Sequence, residues 1–337
     1  MKKLIIIGVI AVVACVAITA FWIFGAKAQN ADTSYVYVDA DDNLDSVMTK
    51  VEAAAQPTTM YGFQLFASWK DYGSHVRTGR YRVDPGMTML QLFRNLRNHD
   101  EEPIRLVVPA TRLLTDLAGR LDGKLMVDSA ALVRVFADES LQAELGVQPE
   151  TFPALFIPNT YEVYWDMSAV DFVKRMKREY DAFWTEERLA KADALGLTPI
   201  EVSTLASIVD SESAYNPEKP RIAGLYLNRL RKGMLLQSDP TVIYAVGDFT
   251  IRRVLNEHLS TDSPYNTYLY QGLPPGPIRL PSVVALDAVL NAEQHDYLYM
   301  CAKEDFSGSH NFAVSYGEHL QNARRYINEL NRRGIQR

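Results

Sequence analysis

The 337-residue sequence predicts an α+β protein behind an N-terminal membrane anchor. Three features predict it. An uncharged apolar run opens the chain, short alternating strands interleave with helical periodicities through its first half, and a longer mix of helices and loops fills the second half around one acid-bearing apolar helix. The remaining features fall into place along the chain.

Residues 4–26 carry no charge and include LIIIGVIAVVACVAITAFWIF, long enough for a bilayer core that takes about 20 apolar residues. Lys2 and Lys3 ahead of the run keep the N-terminus in the cytoplasm and put the bulk of the chain outside. Two alternative readings are a cleaved signal ending at Ala26-Lys27-Ala28 and a lipoprotein signal ending at Cys15. The run exceeds the roughly 7 to 15 residues of a signal core and continues past Cys15 to Phe24. All three readings export the rest of the chain. The anchor reading divides it into 1–26 (cytoplasmic tip and transmembrane segment), 27–34 (KAQNADTS, a polar linker), 35–150 (small α+β units) and 151–337 (a second, mixed α+β domain).

In the first of these regions, residues 35–38 alternate as a strand, an Asp-rich turn follows, and Leu44, Val47, Met48 and Val51 recur at helical spacing. The pattern repeats as GRYRV (79–83), the turn Asp84-Pro85-Gly86 and a helix over about 88–97, then as IRLVV (104–108) and a helix over about 111–121. Residues 128–145 read as one helix and FIPNTYEVYW (156–165) as an aromatic-rich extended stretch. A single charged amphipathic helix over about 169–195 stops at Gly196.

Thr198-Pro199-Ile200-Glu201 is a capping box with proline at the first helical position, so the next helix starts there. Further helices are expected over about 220–232, 251–257 and 282–292. LQSDPTVIYAVGD (236–248) and STDSPYNTYLYQGLPPGPIRLP (260–281) read as loops, 297–300 and 311–314 as strands, and the C-terminus as a helix.

Composition excludes some functions. The net charge is −6, and residues 1–30 contribute Lys2, Lys3 and Lys27 but no acid, so the remainder carries −9. Nucleic acid would demand a basic footprint, so it is not an expected partner. Cys15 and Cys301 are the two cysteines, and no Cys/His set has zinc spacing. His258 and His295 sit beside acids, but no serine or cysteine has a triad context.

The helix begun at Thr198 ends in TLASIVDSES (204–213), which holds Asp210 and Glu212. Val202, Leu205, Ile208 and Val209 mark an apolar stripe that Glu212 continues, whereas Asp210 is rotated from Glu212 by about 200°. Burial raises a carboxyl pKa, which suits Glu212 to general acid work. The structural alternative is a helix-end carboxylate paired with Arg221 or Lys219. The loops beyond carry Gln237, Ser238, Asp239, Thr241, Asn266 and Thr267, with Tyr265, Tyr268 and Tyr270 interleaved. Planar amides beside aromatic faces suit sugars, which offer both hydroxyl edges and C–H faces.

LASIVDSES, PRIAGLYLNRLRKGMLLQSDPTVIYAVGD, SPYNTYLYQGLPPGPI and YLYMCAKEDFSGSHNFAVSYGEHLQNARRY resemble, in this order, the endolytic murein transglycosylases of the YceG-like family, and FIPNTYEVYW resembles a segment upstream of them. The resemblance is strong over about 150–327 and looser before it, where it implies a LysM-like subdomain. It implies that Glu212 is the catalytic acid/base, with Gln237, Asp239, Asn266 and Tyr268 binding or orienting the glycan, Tyr161 near the cleft, and His310 in a glycine-histidine turn. The first acidic position, usually Glu, is Asp210 here, and the family's Pro-Asp-Thr is Pro158-Asn159-Thr160.

The implied reaction is non-hydrolytic cleavage between N-acetylmuramic acid and N-acetylglucosamine, leaving 1,6-anhydromuramic ends and limiting glycan strand length. It needs no metal or organic cofactor. The implied setting is a single-pass inner-membrane protein with a periplasmic catalytic domain, with peptidoglycan as substrate and peptidoglycan synthases as possible neighbours. A muramidase and an inactive peptidoglycan-binding scaffold are the alternatives.

Overall fold

A computed structural model describes residues 2–334, with the side chains of residues 2–5, 22 and 23 left out. The chain forms two compact units, one from residues 1–106, 123–128 and 161–168, the other from 107–122, 129–160 and 169–337.

The first unit begins with helix α1 (Lys2–Phe24). Among the described residues no single helix is long and apolar enough to cross a membrane; the apolar stretch found is Ile6–Phe21. Side chains at both ends of the predicted anchor, Leu4, Ile5, Trp22 and Ile23, lie outside the described ones. Part of the segment expected as a linker is held fast: Ala28 N–H donates to Met87 O, Gly86 N–H donates to Ala28 O, and Ala26 and Ala28 are buried.

Strand β1 (Ser34–Val38), helices α2 (Leu44–Ala55) and α3 (Tyr61–Trp69), strand β2 (Gly79–Val83), helix α4 (Met89–Asn98) and strand β3 (Ile104–Val108) follow. β1 and β2 pair antiparallel, Ser34 opposite Val83 and Val38 opposite Gly79. Their alternation turns Val36, Val38, Tyr81 and Val83 inward against Val47 and Val51 of α2, Phe63 of α3 and Leu92 and Leu96 of α4. Each such side chain contributes about 1.5–3 kcal/mol when fully buried. Asn43 and Thr88 cap α2 and α4 through their side-chain oxygens. Helix α3 has no counterpart in the sequence reading.

In the second unit, α5 (Leu114–Leu121) precedes two corrections. Residues 128–145 form two helices, α6 (Ser129–Phe136) and α7 (Glu139–Glu144), because Asp138 turns extended and accepts from Ser140 and Leu141 N–H. After strand β4 (Asn159–Val163), residues 169–195 likewise divide into α8 (Ala169–Phe183) and α9 (Glu186–Leu195), with Thr185 as the new N-cap.

Helix α10 (Pro199–Glu212) starts at the expected capping box, Thr198 accepting from Glu201 N–H. It is the centre of the unit, packed against α11 (Lys219–Arg231), α12 (Asp239–Val246) and α14 (Val283–Leu290), with the short α13 (Asn256–Leu259) between the last two in sequence. Every residue from Val202 to Val209 is buried, polar ones included. The hydroxyls of Ser203, Thr204, Ser207 and Ser211 donate back to carbonyls three or four residues earlier, which lets them enter the core without unpaired groups. The stripe expected on one face is therefore a helix buried all round.

α12 corrects the loop reading of 236–248. Pro240 stands in its first turn, where a missing N–H costs nothing, and Gly247 ends it in the left-handed conformation. The chain closes with the antiparallel hairpin β5 (Tyr299–Ala302) and β6 (His310–Ala313) and helix α15 (Tyr316–Arg332). β5 starts later than 297 because α11 takes the preceding carbonyls: Asn228 Nδ2 donates to His295 O and Tyr297 O, and Arg229 Nε to Leu298 O.

Candidate active site

Glu212 is the last residue of α10; Ser213 then turns extended. α11 returns alongside and presents Tyr226, and Ser238 immediately precedes α12. Both hydroxyls donate to the same oxygen, Glu212 Oε1, Tyr226 from 2.6 Å and Ser238 from 2.5 Å. Burial raises the Glu212 pKa above its ordinary value; the Ser238 and Tyr226 donors pull against it, nearby Asp239 pushes further up, and His310 pulls down. Burial and the adjacent carboxylate also hold the Tyr226 hydroxyl well above its usual pKa, so it stays a donor.

The cations that could have paired with Glu212 are engaged elsewhere. Lys219 binds Asp210, and Arg221 binds Glu293 at 3.0 Å. Asp210, expected to face away from the buried side, is itself buried, its side chain 7% exposed. Its carboxylate also accepts from Ser282 N–H at 3.0 Å and Ser282 Oγ at 3.1 Å, tying the end of α10 to the start of α14. The two acids thus differ in their partners: Asp210 has Lys219 and, at 4.0 Å, Arg279, whereas Glu212 has two neutral hydroxyls.

Glu212 lines a cavity of about 420 Å³. Four more of the sequence-selected residues line it: Gln237, Asp239, Tyr268 and His310. The Tyr268 hydroxyl donates to Asp239 Oδ1 at 2.7 Å, joining two of them. Gln237 sits at φ +53, a left-handed conformation that a non-glycine residue holds only when its surroundings enforce it. Here its N–H donates to Thr267 O and its side-chain oxygen accepts from Arg229. His310 is fastened to buried Glu218, its N–H to Oε1 at 2.9 Å and its Nδ1 to Oε2 at 2.7 Å.

Two selected residues lie elsewhere. Asn266 is fully buried and outside the cavity lining; its Nδ2 donates to Leu259 O and Thr261 O and its Oδ1 accepts from Tyr268 N–H. It shapes the loop that carries Tyr268, with its side chain engaged within the protein and shut off from solvent. Tyr161 belongs to the other compact unit, is buried, and is not among the lining residues.

Sequence reasoning missed Tyr226, Arg229 and Glu218, and named Ser238 without a role. Tyr226 and Arg229 stand three apart on α11, which puts both on one face, and that face was readable once α11 was set beside Glu212. Arg229 is buried in the wall, its guanidinium donating to Leu298 O, Leu235 O, Leu236 O and Gln237 Oε1. It staples the loop before α12 to the hairpin.

A buried acid held by neutral donors in an open cavity can give a proton to a leaving oxygen and take one back. Comparisons with known proteins agree with a shared architecture. A protein named endolytic murein transglycosylase from Bacillus subtilis is 28% identical over 285 residues, 80% of this chain and 78% of that protein. One of the same name from Streptococcus pneumoniae is 25% identical over 323 residues, 87% of this chain; the chain spans only 58% of that relative's length. The crystal structure of a YceG-like protein from Listeria monocytogenes superposes with a TM-score of 0.57 at 25% identity, covering 87% of this chain and 99% of that one. The model of the YceG-like family matches residues 36–325, and the chain belongs to that family.

Proposed function

We propose that this protein is an endolytic murein transglycosylase, cutting peptidoglycan glycan strands between N-acetylmuramic acid and N-acetylglucosamine with Glu212 as the single acid/base. The relatives' shared name supports the substrate class. The observation that carries the mechanism is the placing of both donors on Oε1 of a buried carboxyl. With Oε1 accepting twice, the acidic proton belongs on Oε2, ready to pass to the leaving glycosidic oxygen. As the C1–O bond breaks, the muramic O6 hydroxyl attacks C1 and gives its proton to the Glu212 carboxylate, which restores the acid. Tyr226 and Ser238 stabilise the carboxylate that exists between these two transfers. Gln237, Asp239, Tyr268 and His310 orient the glycan.

One observation favours a hydrolase as the second reading. Asp239 lines the same cavity and bears on the charge of Glu212, and paired carboxylates about 5 to 10 Å apart are what a muramidase uses. The two reactions leave different ends. Mass spectrometry of muropeptides released by the wild type is expected to show 1,6-anhydromuramic ends, absent with Glu212→Gln; reducing ends would establish the muramidase. Material released equally by both proteins would refute a role for Glu212.

We place the protein at the inner membrane, held by a single N-terminal span with the rest of the chain in the periplasm. The uncharged run of residues 4–26 behind Lys2 and Lys3 supports this placement, as does its helical conformation. A LysM-like role for the first unit and proximity to peptidoglycan synthases belong to the same proposal.

A further inference from the structure

In the first unit, His99 Nε2 and the carboxylates of Glu101 and Asp166 lie within 4.8 Å of one another. We propose that these three side chains form a binding site for one divalent cation of the zinc type.

The geometry has three parts. Glu101 is the buried member, its side chain 5% exposed, and its Oε2 has no hydrogen-bond partner although no solvent reaches it. A buried carboxylate oxygen without a well-aligned donor is costly, and with the Asp166 carboxyl beside it the pair calls for a shared proton or a metal cation between them. Glycine at position 79, at φ +138, makes the space: a Cβ would stand 2.7 Å from the Glu101 carboxylate.

The second part is the orientation of the ligands. The Tyr81 hydroxyl donates to Thr78 O at 2.9 Å, so its oxygen is free to accept from His99 Nδ1 at 3.2 Å. With Nδ1–H given to Tyr81, Nε2 is the ring nitrogen that faces Glu101 Oε1, 3.0 Å away, a contact that a proton bridges when no metal is bound and that a cation would take over. Thr78 Oγ1 donates to Asp166 Oδ2 at 2.6 Å and fixes the third ligand. Partners that orient ligands in this way are the usual companions of metal-binding histidine and carboxylate groups.

The third part is charge. Among the described residues no lysine or arginine pairs with Glu101 or Asp166. The nearby Arg80 guanidinium is turned away, stacked on the Tyr35 ring and donating to Glu102 O and Pro103 O. Donors on a tetrahedral zinc stand about 3.3 Å apart when bond lengths are about 2.0–2.1 Å. His99, 37% exposed, opens the cluster to solvent on one side, where water supplies the fourth ligand of such a site. A mixed imidazole and carboxylate set suits zinc better than calcium or magnesium, which take oxygen alone. Asp166 comes from a distant part of the sequence to meet His99 and Glu101, which stand two apart, so spacing alone did not complete the set.

The test uses the full-length chain in detergent, stripped with EDTA and titrated with zinc chloride by calorimetry, with melting followed in parallel. The wild type is expected to bind one zinc per chain and to melt at a higher temperature with zinc than without. Loss of an orienting partner weakens metal sites by about 10- to 100-fold, so loss of a ligand in His99→Ala or Asp166→Asn is expected to weaken binding at least about 100-fold and to abolish the rise in melting temperature. His99 is exposed and its replacement leaves the core intact, so it decides the matter if Asp166→Asn lowers the melting temperature in EDTA. A wild type that binds no zinc, with a shared proton filling the cluster instead, overturns the proposal. So does one equivalent bound with the same affinity in the wild type and His99→Ala.

Discussion

Replacing Tyr226 with phenylalanine removes one oxygen and leaves the ring that fills the space between α10 and α11. The lost group is the 2.6 Å donor to Glu212 Oε1. In the proposed acid step Glu212 gives up its proton and becomes a buried carboxylate, so that donor is worth most when charge has developed. A hydrogen bond to a charged group contributes about 1.5–3 kcal/mol. At about 1.4 kcal/mol per factor of ten, Tyr226→Phe should lower kcat/KM by about ten- to a hundredfold, with Ser238 still holding the same oxygen. The pH profile gives a second reading with a fixed sign. The Tyr226 donor lowers the Glu212 pKa, so its removal raises that pKa further. Activity needs the protonated acid in the free enzyme, and the basic limb of kcat/KM should therefore move to higher pH. Rates of anhydromuropeptide release measured across the neutral range in both proteins test both effects. An unchanged rate, or a basic limb displaced to lower pH, would refute the assignment of Tyr226 and of Oε1 as the anchored oxygen.

Glu212→Gln keeps an acceptor for both hydroxyls while abolishing the charge, and its effect on stability depends on pH. The folded state holds the Glu212 pKa above the ordinary glutamate value of about 4.5, so the wild type is fully stable below that value and loses stability as pH rises through the raised pKa; the melting temperature of the variant should exceed that of the wild type at neutral pH and converge with it in acid. Lys219→Met leaves buried Asp210 with only Arg279, 4.0 Å away, and should cost about 3 kcal/mol in denaturant unfolding, the low end for a broken buried pair, with activity per folded molecule retained. Asp239→Asn removes a charge that raises the Glu212 pKa, so the basic limb should move to lower pH while the products keep their anhydro ends; complete loss of activity would instead favour the hydrolase.

The difference between Glu212 and Asp210 was legible in the sequence, for a reason that the structure only partly supports. Helical phase separated the two on the premise that α10 has one buried face, and the helix proves to be buried all round. What distinguishes the two acids is the set of groups that reach them from other elements, Lys219 and Ser282 at one, Tyr226 and Ser238 at the other. Local signals succeeded where the determinant was local: the capping box at Thr198 and the alternation of 79–83 both stand where expected. They failed where a single polar side chain interrupts a periodic run, as Asp138 and Thr185 do by accepting backbone N–H groups that a continuous helix would have used. Asn266 failed in another way. Its amide suits a sugar as well as it suits a loop, and residue type alone cannot say which acceptors and donors claim it first. The same competition explains Asp at position 210. A side chain one methylene shorter than glutamate still meets Lys219 and the N-terminus of α14, so the demand at that site is a buried negative charge at the end of α10, whereas Glu212, with neutral partners, is left with the environment that the proposed acid/base role requires.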